Sequence, residues 1–464
     1  MKGVFRSMST ICAVSTPLAQ GGLSVIRISG DKAIEIAEKI FLPFGDKKVK
    51  TMLGHTCVYG KIVNPENNRQ IDDAVLTVFI APKSYTGENT AEISCHGGVY
   101  ITKEILRLCL AQGAVLAEKG EFTKRAFLNG KLSLTQAESV MEIISAQGEY
   151  ALRSANLTRE GRLFKEISAT AQELVRILGE LAAWVDYPEE DLPDIEESAL
   201  SNSVEQVLKI IKRILNDYDN GILIRNGVDT VIAGKPNVGK STLMNMLLGY
   251  DRSIVTDIAG TTRDVIEETA KLGELTLKLS DTAGIRDTEN KVEQLGVELA
   301  RKRIKNCALT MAVFDTSRPL DEEDKELLEY VCNLKKHLII ILNKSDLEPL
   351  INPDELKKYS PYIITISAKF NEGRDKIQKA AEEIFSLNNY DPDSTIFANE
   401  RQKSCAETAK MHLENALSAL KAGSTLDAVT VTIDCAANAL LELTGEKASE
   451  AVVNEVFAKF CVGK

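Results

Sequence analysis

The sequence has no run of about 18 apolar residues, the length a membrane-crossing helix needs, so no transmembrane segment is expected. It has no signal-like start either: Met1 to Ile11 carries two cations but no apolar core of signal-peptide length. It has no Cys-x-x-Cys pair. The nine cysteines are scattered without metal-type spacing, the pattern of reduced thiols in a long chain. These absences together predict a cytoplasmic protein without a membrane partner. An excess of positive charge is also missing: the formal net charge is −11. That argues against a protein whose main task is coating nucleic acid, because phosphate neutralisation supplies most non-specific affinity. A local basic face is compatible with this balance, so composition neither requires nor excludes RNA.

What is present is ordinary for globular protein, with 44% hydrophobic and 27% charged residues. A chain of 464 residues suggests two to four domains at about 100–200 residues each. Residues 1–119 alternate branched apolar runs, Leu23 to Ile28 and Asp73 to Ile80, with helical periodicity over Ala33 to Ile40 and Thr102 to Leu110. This predicts a mixed α+β domain. Residues 120–219 are poorer in glycine and repeat apolar residues at helical spacing, as in Leu134 to Ile144 and Leu174 to Val185. The acidic, proline-containing run Val185 to Glu197 reads as a solvated connection. Residues 220–388 alternate strand and helix, and 389–464 return to an Ala- and Leu-rich helical texture. Two helical stretches around an α/β unit predict a discontinuous helical domain with an inserted, doubly wound, mostly parallel α/β domain.

The chemistry concentrates in that insert. Gly234 to Ser241 reads GKPNVGKS, which matches the phosphate-binding loop G-x-x-x-x-G-K-[ST]. A strand-like run, Thr230 to Ala233, precedes it, and a helix-like run, Thr242 to Leu248, follows it and is closed by Gly249. The glycines let backbone N–H groups face phosphates and the helix N-terminus adds its positive end. Asn237, Val238, Gly239, Lys240, Ser241 and Thr242 line this loop; Lys240 reaches the β and γ phosphates and Ser241 ligates magnesium.

Three further loops follow in order. The strand-like Leu275 to Leu279 leads into Asp281-Thr282-Ala283-Gly284, with a carboxylate at a neighbouring strand end and a glycine for close approach to the γ-phosphate. His337 to Leu342 leads into Asn343-Lys344-Ser345-Asp346, in which the Asp346 carboxylate accepts from the N1–H and 2-amino edge of guanine. Ile363 to Ile366 leads into Ser367-Ala368-Lys369, over the guanine O6. Nucleotide sites of α/β sheets sit at such strand ends, and the four loops together predict a GTP hydrolase.

Between the first two loops, Thr256-Asp257-Ile258-Ala259-Gly260-Thr261-Thr262 suits a switch segment that orders on the γ-phosphate, with Thr262 or Thr261 giving magnesium a second hydroxyl. Small signalling GTPases place a water-orienting glutamine immediately after the second motif. Here that position is Ile285, which cannot polarise water. Glu293 is the candidate to position water in its place, with a solvated helix face as the other reading.

The whole chain resembles the tRNA modification GTPase family MnmE, also called TrmE. The resemblance rests on Arg27-Ile28-Ser29-Gly30, Ser84-Tyr85-Thr86-Gly87-Glu88, Cys95-His96-Gly97-Gly98, the stretch GEFTKRAFLNGK from Gly120 to Lys131, the nucleotide loops, and Phe460-Cys461-Val462-Gly463-Lys464. One loop departs: Leu18-Ala19-Gln20-Gly21-Gly22 carries Gln20 where the family more often has arginine before the paired glycines. The resemblance implies an N-terminal domain that forms the homodimer and binds a tetrahydrofolate derivative, in its 5-formyl or methylene form, at Arg27, Glu92, Lys131 and Lys464. It implies potassium against the phosphates, held by Asn237, Thr256, Ile258 and Thr261, roughly where an arginine finger acts. It aligns Glu293 with the family's water-positioning glutamate, and it leaves Cys461 between a nucleophile and a structural thiol. It further implies an FAD-containing partner, MnmG, in a hetero-tetramer, and a carboxymethylaminomethyl or aminomethyl group placed on C5 of the wobble uridine of certain tRNAs. A ribosome-assembly GTPase shares the nucleotide loops and is the alternative; the folate-type N-terminus and the terminal cysteine box speak against it. A non-catalytic nucleotide switch is a third reading.

Overall fold

The structure, a computed structural model, describes residues 9–46, 48–146, 148–186, 197–249, 268–273, 275–281, 301–385 and 396–464. Contacts divide the chain into two compact units. One comprises Met1–Met141, Thr158–Ile210 and Asn399–Lys464; the other comprises Glu142–Leu157 and Ile211–Ala398.

In the first unit, β1 (Ile11–Val14), β2 (Leu23–Ser29), β3 (Phe41–Pro43), β4 (Thr56–Val63), β5 (Gln70–Phe79), β6 (Thr90–His96) and β7 (Val115–Leu116) form one sheet in the order β3-β4-β5-β6-β2-β1-β7. Its strands alternate. Ile26 and Ile28 of β2 are fully buried, whereas Arg27 between them points to the opposite face, opposite Glu92 of β6. Helices α1 (Ala33–Ile40) and α2 (Val99–Ala111) cover the apolar face with Ile36, Ile40, Ile105 and Leu108. Each such side chain contributes about 1.5–3 kcal/mol when fully buried. The helical runs expected at Ala33 to Ile40 and Thr102 to Leu110 correspond to α1 and α2.

Further along the chain lie α3 (Glu121–Leu128), α4 (Leu134–Ser145), α5 (Glu149–Arg159), α6 (Arg162–Asp186) and α7 (Glu197–Asn226). The C-terminal stretch supplies α11 (Glu400–Lys421), α12 (Leu426–Thr444) and α13 (Glu450–Ala458). Helix α6 buries Leu163, Ile167, Ala171, Leu174, Ile177 and Leu181, a stripe at three- and four-residue spacing. Helix α12 packs against both α6 and α11, burying Ile433, Ala436, Leu440 and Leu443. The early and late helical segments are also joined by a polar clamp. Arg401 of α11 donates to both carboxylate oxygens of Glu138 on α4, at 2.7 and 2.9 Å, and Gln402 adds a third bond at 2.5 Å. The same guanidinium donates to the carbonyls of Glu442 and Leu443, satisfying the C-terminal end of α12 where a cation is favoured.

The last residues close onto the N-terminal sheet. Ser15 donates to the Gly463 carbonyl at 3.2 Å, Lys119 bridges Val462, Gly120 N–H donates to the Cys461 carbonyl, and Phe122 N–H donates to the main-chain oxygen of Lys464. Gly463 has φ 94°, and a Cβ there would overlap the Val14 carbonyl, so only glycine fits.

In the second unit, β8 (Val228–Ala233), β9 (Glu268–Leu272), β10 (Leu275–Asp281), β11 (Leu309–Asp315), β12 (His337–Asn343) and β13 (Ile363–Thr365) form a sheet in the order β13-β12-β11-β8-β10-β9. All neighbouring pairs are parallel except β9 with β10. Strands β11 and β12 are continuous apolar runs because both sheet faces are covered. Helices α8 (Lys240–Leu248) and α10 (Arg374–Ile384) share one core with the sheet, and α9 (Glu322–Asn333) belongs to a second core built on the alternate residues of the strands. This is the doubly wound α/β fold. From β8 the chain builds β9 and β10 on one side and β11 to β13 on the other, which makes the carboxyl end of β8 the topological switch point.

Residues 220–388 fall within the second unit, but the expected boundary at 219/220 lies inside α7, which runs unbroken from Glu197 to Asn226. The connection expected at Val185 to Glu197 lies mostly outside the described residues.

Candidate nucleotide-binding site

The phosphate loop starts where buried β8 ends. Gly234 has φ 148°, and a Cβ on it would overlap the Val313 carbonyl of the neighbouring strand. Asn237 is exposed with φ 64°, and Gly239, at φ 98°, caps α8. The loop therefore bends through left-handed positions and delivers its backbone to the first turn of a helix, an arrangement that binds anions. The Lys240 ammonium folds back over the loop, donating to the carbonyls of Gly234 at 2.8 Å and Lys235 at 2.7 Å. Ser241 and Thr242 follow in the same turn, both exposed.

Two strands away, β12 ends at Asn343, whose side chain joins three loops. Its Nδ2 donates to the Val238 carbonyl at 2.8 Å, and its Oδ1 accepts from Ala368 N–H at 3.0 Å. The amide is buried, so both ends being satisfied fixes the phosphate loop, the Asn343–Asp346 loop and the Ser367–Lys369 loop against one another. The Ser367 hydroxyl donates to Asp346 Oδ1 at 2.6 Å, and this bond holds the Asp346 carboxyl below the usual carboxylate range. Asp346 is exposed and ionised, as an acceptor for an N–H edge must be. Lys369 stands beside it with its ammonium 5.2 Å from the Phe370 ring centre. Strand β10 ends at Asp281, in register with Ile232 of β8, so Asp281 reaches the same sheet edge as the phosphate loop. Thr256, Asp257, Ile258, Ala259, Gly260, Thr261, Thr262, Thr282, Ala283, Gly284 and Glu293 lie outside the described residues.

A second cluster occupies the first unit. Arg27 Nε donates to Glu92 Oε1 at 2.7 Å, and the guanidinium lies 5.6 Å from the Tyr85 ring centre and 5.5 Å from that of Phe122. Tyr85 also lines an open cavity of about 410 Å³ with His55, Phe79, Lys83, Ser84 and Lys131. Lys131 donates to the Pro82 carbonyl at 3.2 Å, and the main-chain oxygen of Lys464 sits on Phe122 N–H. Tyr85 thus borders both Arg27 and the cavity that Lys131 lines, and Phe122 borders both Arg27 and the main-chain oxygen of Lys464.

Two family models match the chain: the MnmE helical domain over residues 134–461 and the GTP-binding protein TrmE N-terminus over residues 10–131. The tRNA modification GTPase MnmE of Acetivibrio thermocellus is 42% identical over 458 residues, covering 98% of this chain and 99% of that protein. That of Lactobacillus gasseri is 41% identical over 467 residues, covering 100% of both. The chain belongs to the MnmE family of tRNA modification GTPases. Among solved structures, the FeoB G-domain of Methanococcus jannaschii is 23% identical, with a TM-score of 0.27, covering 34% of this chain and 97% of that one.

As a GTPase of the MnmE family, the protein carries supporting residues around its loops that motif reading passes over. Lys235, inside the phosphate loop, pairs with Asp321 and, at 2.9 Å, with Glu323, both at the start of α9. Asp315, at the end of β11, pairs with Lys344 at 2.5 Å. In the first unit, Arg125 is 2% exposed and binds Glu121 at 2.7 Å and Glu88 at 3.2 Å, and Glu88 accepts from Ser29 at 2.7 Å. This buried network ties Arg27-Ile28-Ser29-Gly30, Ser84 to Glu88 and Gly120 to Lys131 together. The only signal in the sequence for it was charge inside motifs that are otherwise apolar or small.

Proposed function

We propose that the protein couples GTP hydrolysis to tRNA modification, installing a carboxymethylaminomethyl or aminomethyl group at C5 of the wobble uridine of certain tRNAs together with the FAD-containing partner MnmG. The observation that carries the reading is the joint presence, in one MnmE-family chain, of a nucleotide site at the switch point of the second unit and the Arg27–Glu92 cluster beside a cavity in the first.

The residues present fit the cofactors this activity needs. Ser241 is exposed in the first turn of α8, so its hydroxyl, with that of Thr262, would hold magnesium on the phosphates. Asn237 is exposed at the left-handed bend of the phosphate loop and would, with Thr256, Ile258 and Thr261, hold potassium. Glu293 positions the attacking water, and Asp346 reads guanine. The cavity falls within the range of small-molecule sites, about 300–1,000 Å³, and Lys83 and Lys131 on its lining suit the carboxylates of a tetrahydrofolate tail. A folate bound there would supply the one-carbon unit. Arg27, Glu92 and Lys464 orient it. Homodimerisation through the N-terminal domain, a hetero-tetramer with MnmG and a cytoplasmic location complete the reading.

The test is to delete the gene, digest total tRNA and quantify modified wobble uridines by mass spectrometry. Loss of C5-aminomethyl-type nucleosides, restored by complementation, supports the reading. Unchanged nucleosides sink it and leave a ribosome-assembly GTPase as the alternative.

A further inference from the structure

Lys344 occupies a conformation its own chemistry disfavours. Its φ is 67°, left-handed for a residue with a long side chain, and such positions persist when the surroundings over-determine them. One local hydrogen bond closes the turn, from Leu347 N–H to the Lys344 carbonyl. It is anchored from outside on two sides: Ser345 N–H donates to the Ile366 carbonyl at 3.0 Å, and the end of β11 holds Lys344 itself. Asp315 Oδ2 lies 2.5 Å from Lys344 Nζ, and Asp315 Oδ1 accepts from Ser317 N–H at 3.0 Å and from the Ser317 hydroxyl at 2.7 Å. Both carboxylate oxygens are therefore engaged, in a side chain 12% exposed. Two backbone bonds run alongside: Thr316 N–H to the Asn343 carbonyl at 2.9 Å, and Leu350 N–H to the Thr316 carbonyl at 2.7 Å. Asp315 pairs in register with Asn343. Segment 315–317 thus grips the Asn343–Asp346 loop from behind, on the side away from Ser367.

We infer that Asp315 is a positioning residue for guanine recognition: through Lys344 it sets the turn that presents Asp346 to the base, with Ser317 holding the Asp315 carboxylate in place. This rests on the reading of Asp346 as the guanine acceptor. Asp315 touches no nucleotide itself. Its loss displaces Asp346, and the contact that suffers most is the one to the 2-amino group, which hypoxanthine lacks.

The test uses the full-length protein and fluorescent GDP and IDP. Asp315→Asn keeps the shape and removes the charge. The expected result is a rise of about tenfold in Kd for GDP, in line with loss of one charge-assisted hydrogen bond, with a smaller rise for IDP, so that the GDP-to-IDP preference falls. KM for GTP rises while kcat at saturation stays near wild type. Asp315→Glu recovers part of the preference, and Ser317→Ala gives a weaker form of the same defect. If both nucleotides weaken equally while the melting temperature drops, Asp315 only supports the fold and the inference is overturned; unchanged binding overturns it too. Asp346→Asn is the reference. If it leaves the GDP-to-IDP preference intact, guanine reading by this loop fails as a whole. If it collapses the preference and Asp315→Asn does not, the positioning role alone is wrong.

Discussion

Asn343 reaches across the sheet edge to donate a 2.8 Å hydrogen bond to the Val238 carbonyl, and this approach is possible only because Gly239 has no side chain. A Cβ on Gly239 would overlap the Asn343 amide nitrogen, and φ there is 98°. Gly239→Ala should therefore abolish detectable nucleotide binding, since both the phosphate loop and its tie to the guanine loop must shift. Fluorescent GDP titration checks it. Binding near wild type would show that the tie is dispensable.

Asp346→Asn should weaken GTP and favour xanthosine triphosphate. The amide keeps one acceptor oxygen for N1–H but sets an NH2 donor where the carboxylate had its second oxygen; that donor clashes with the 2-amino group of guanine and matches the oxygen that xanthine carries there. Competition binding with the two nucleotides decides it. An unchanged preference for guanine would falsify this role for Asp346.

Turnover should be higher in potassium than in sodium at equal ionic strength, and Asn237→Ala should remove that difference while leaving GDP binding intact. Asn237 sits at an exposed left-handed bend of the phosphate loop, where its side-chain oxygen is available to a cation. Equal stimulation in the variant would remove Asn237 from the cation site.

Much of this was legible in the sequence for a simple reason: loops that bind phosphate and base are contiguous, and the strands that carry them are uninterrupted apolar runs. The run expected at Thr230 to Ala233 is β8, and the one at His337 to Leu342 is β12. Both end at their motif because the sheet is covered on two faces and polar residues can begin only at its edge. Asp315, Arg125 and the Glu138–Arg401 pair were not legible. Their partners lie 29, 37 and 263 residues away for Lys344, Glu88 and Glu138, and a single sequence does not report which distant charges meet. The expected boundary at 219/220 falls inside α7, which runs on to Asn226.

Arg401→Ala should destabilise the first unit by about 3 kcal/mol, because it takes the charged partner from the Glu138 carboxylate, 6% exposed and then held by Gln402, and leaves the Glu442 and Leu443 carbonyls without this donor. Calorimetry would show the loss, and a change below about 1 kcal/mol, the worth of a surface pair, would mean that the clamp behaves like one.

His96 Nδ1–H donates to Asp72 Oδ1 at 2.7 Å, and that hydrogen bond raises the pKa of the imidazole above its ordinary value. A raised folded-state pKa stabilises below about pH 6.5 and loses that contribution as pH rises through the higher value. Asp72→Asn should return His96 toward about 6.5. With four histidines in the chain, ring resonances followed by NMR during a pH titration can be assigned by substitution. No movement of the His96 midpoint would sink the pairing.

The contact between Ser15 and Gly463 joins residues 448 positions apart. At about 5–20 residues per second, a ribosome needs roughly 20–90 s to make the intervening chain. Throughout that interval the N-terminal sheet lacks the strap that bridges Lys119 and caps Phe122, beside the ring that faces Arg27. The Arg27 cluster is thus finished last although its strands emerge first, and a nascent or prematurely terminated chain, however well its sheet has folded, reaches the cell without a completed first site.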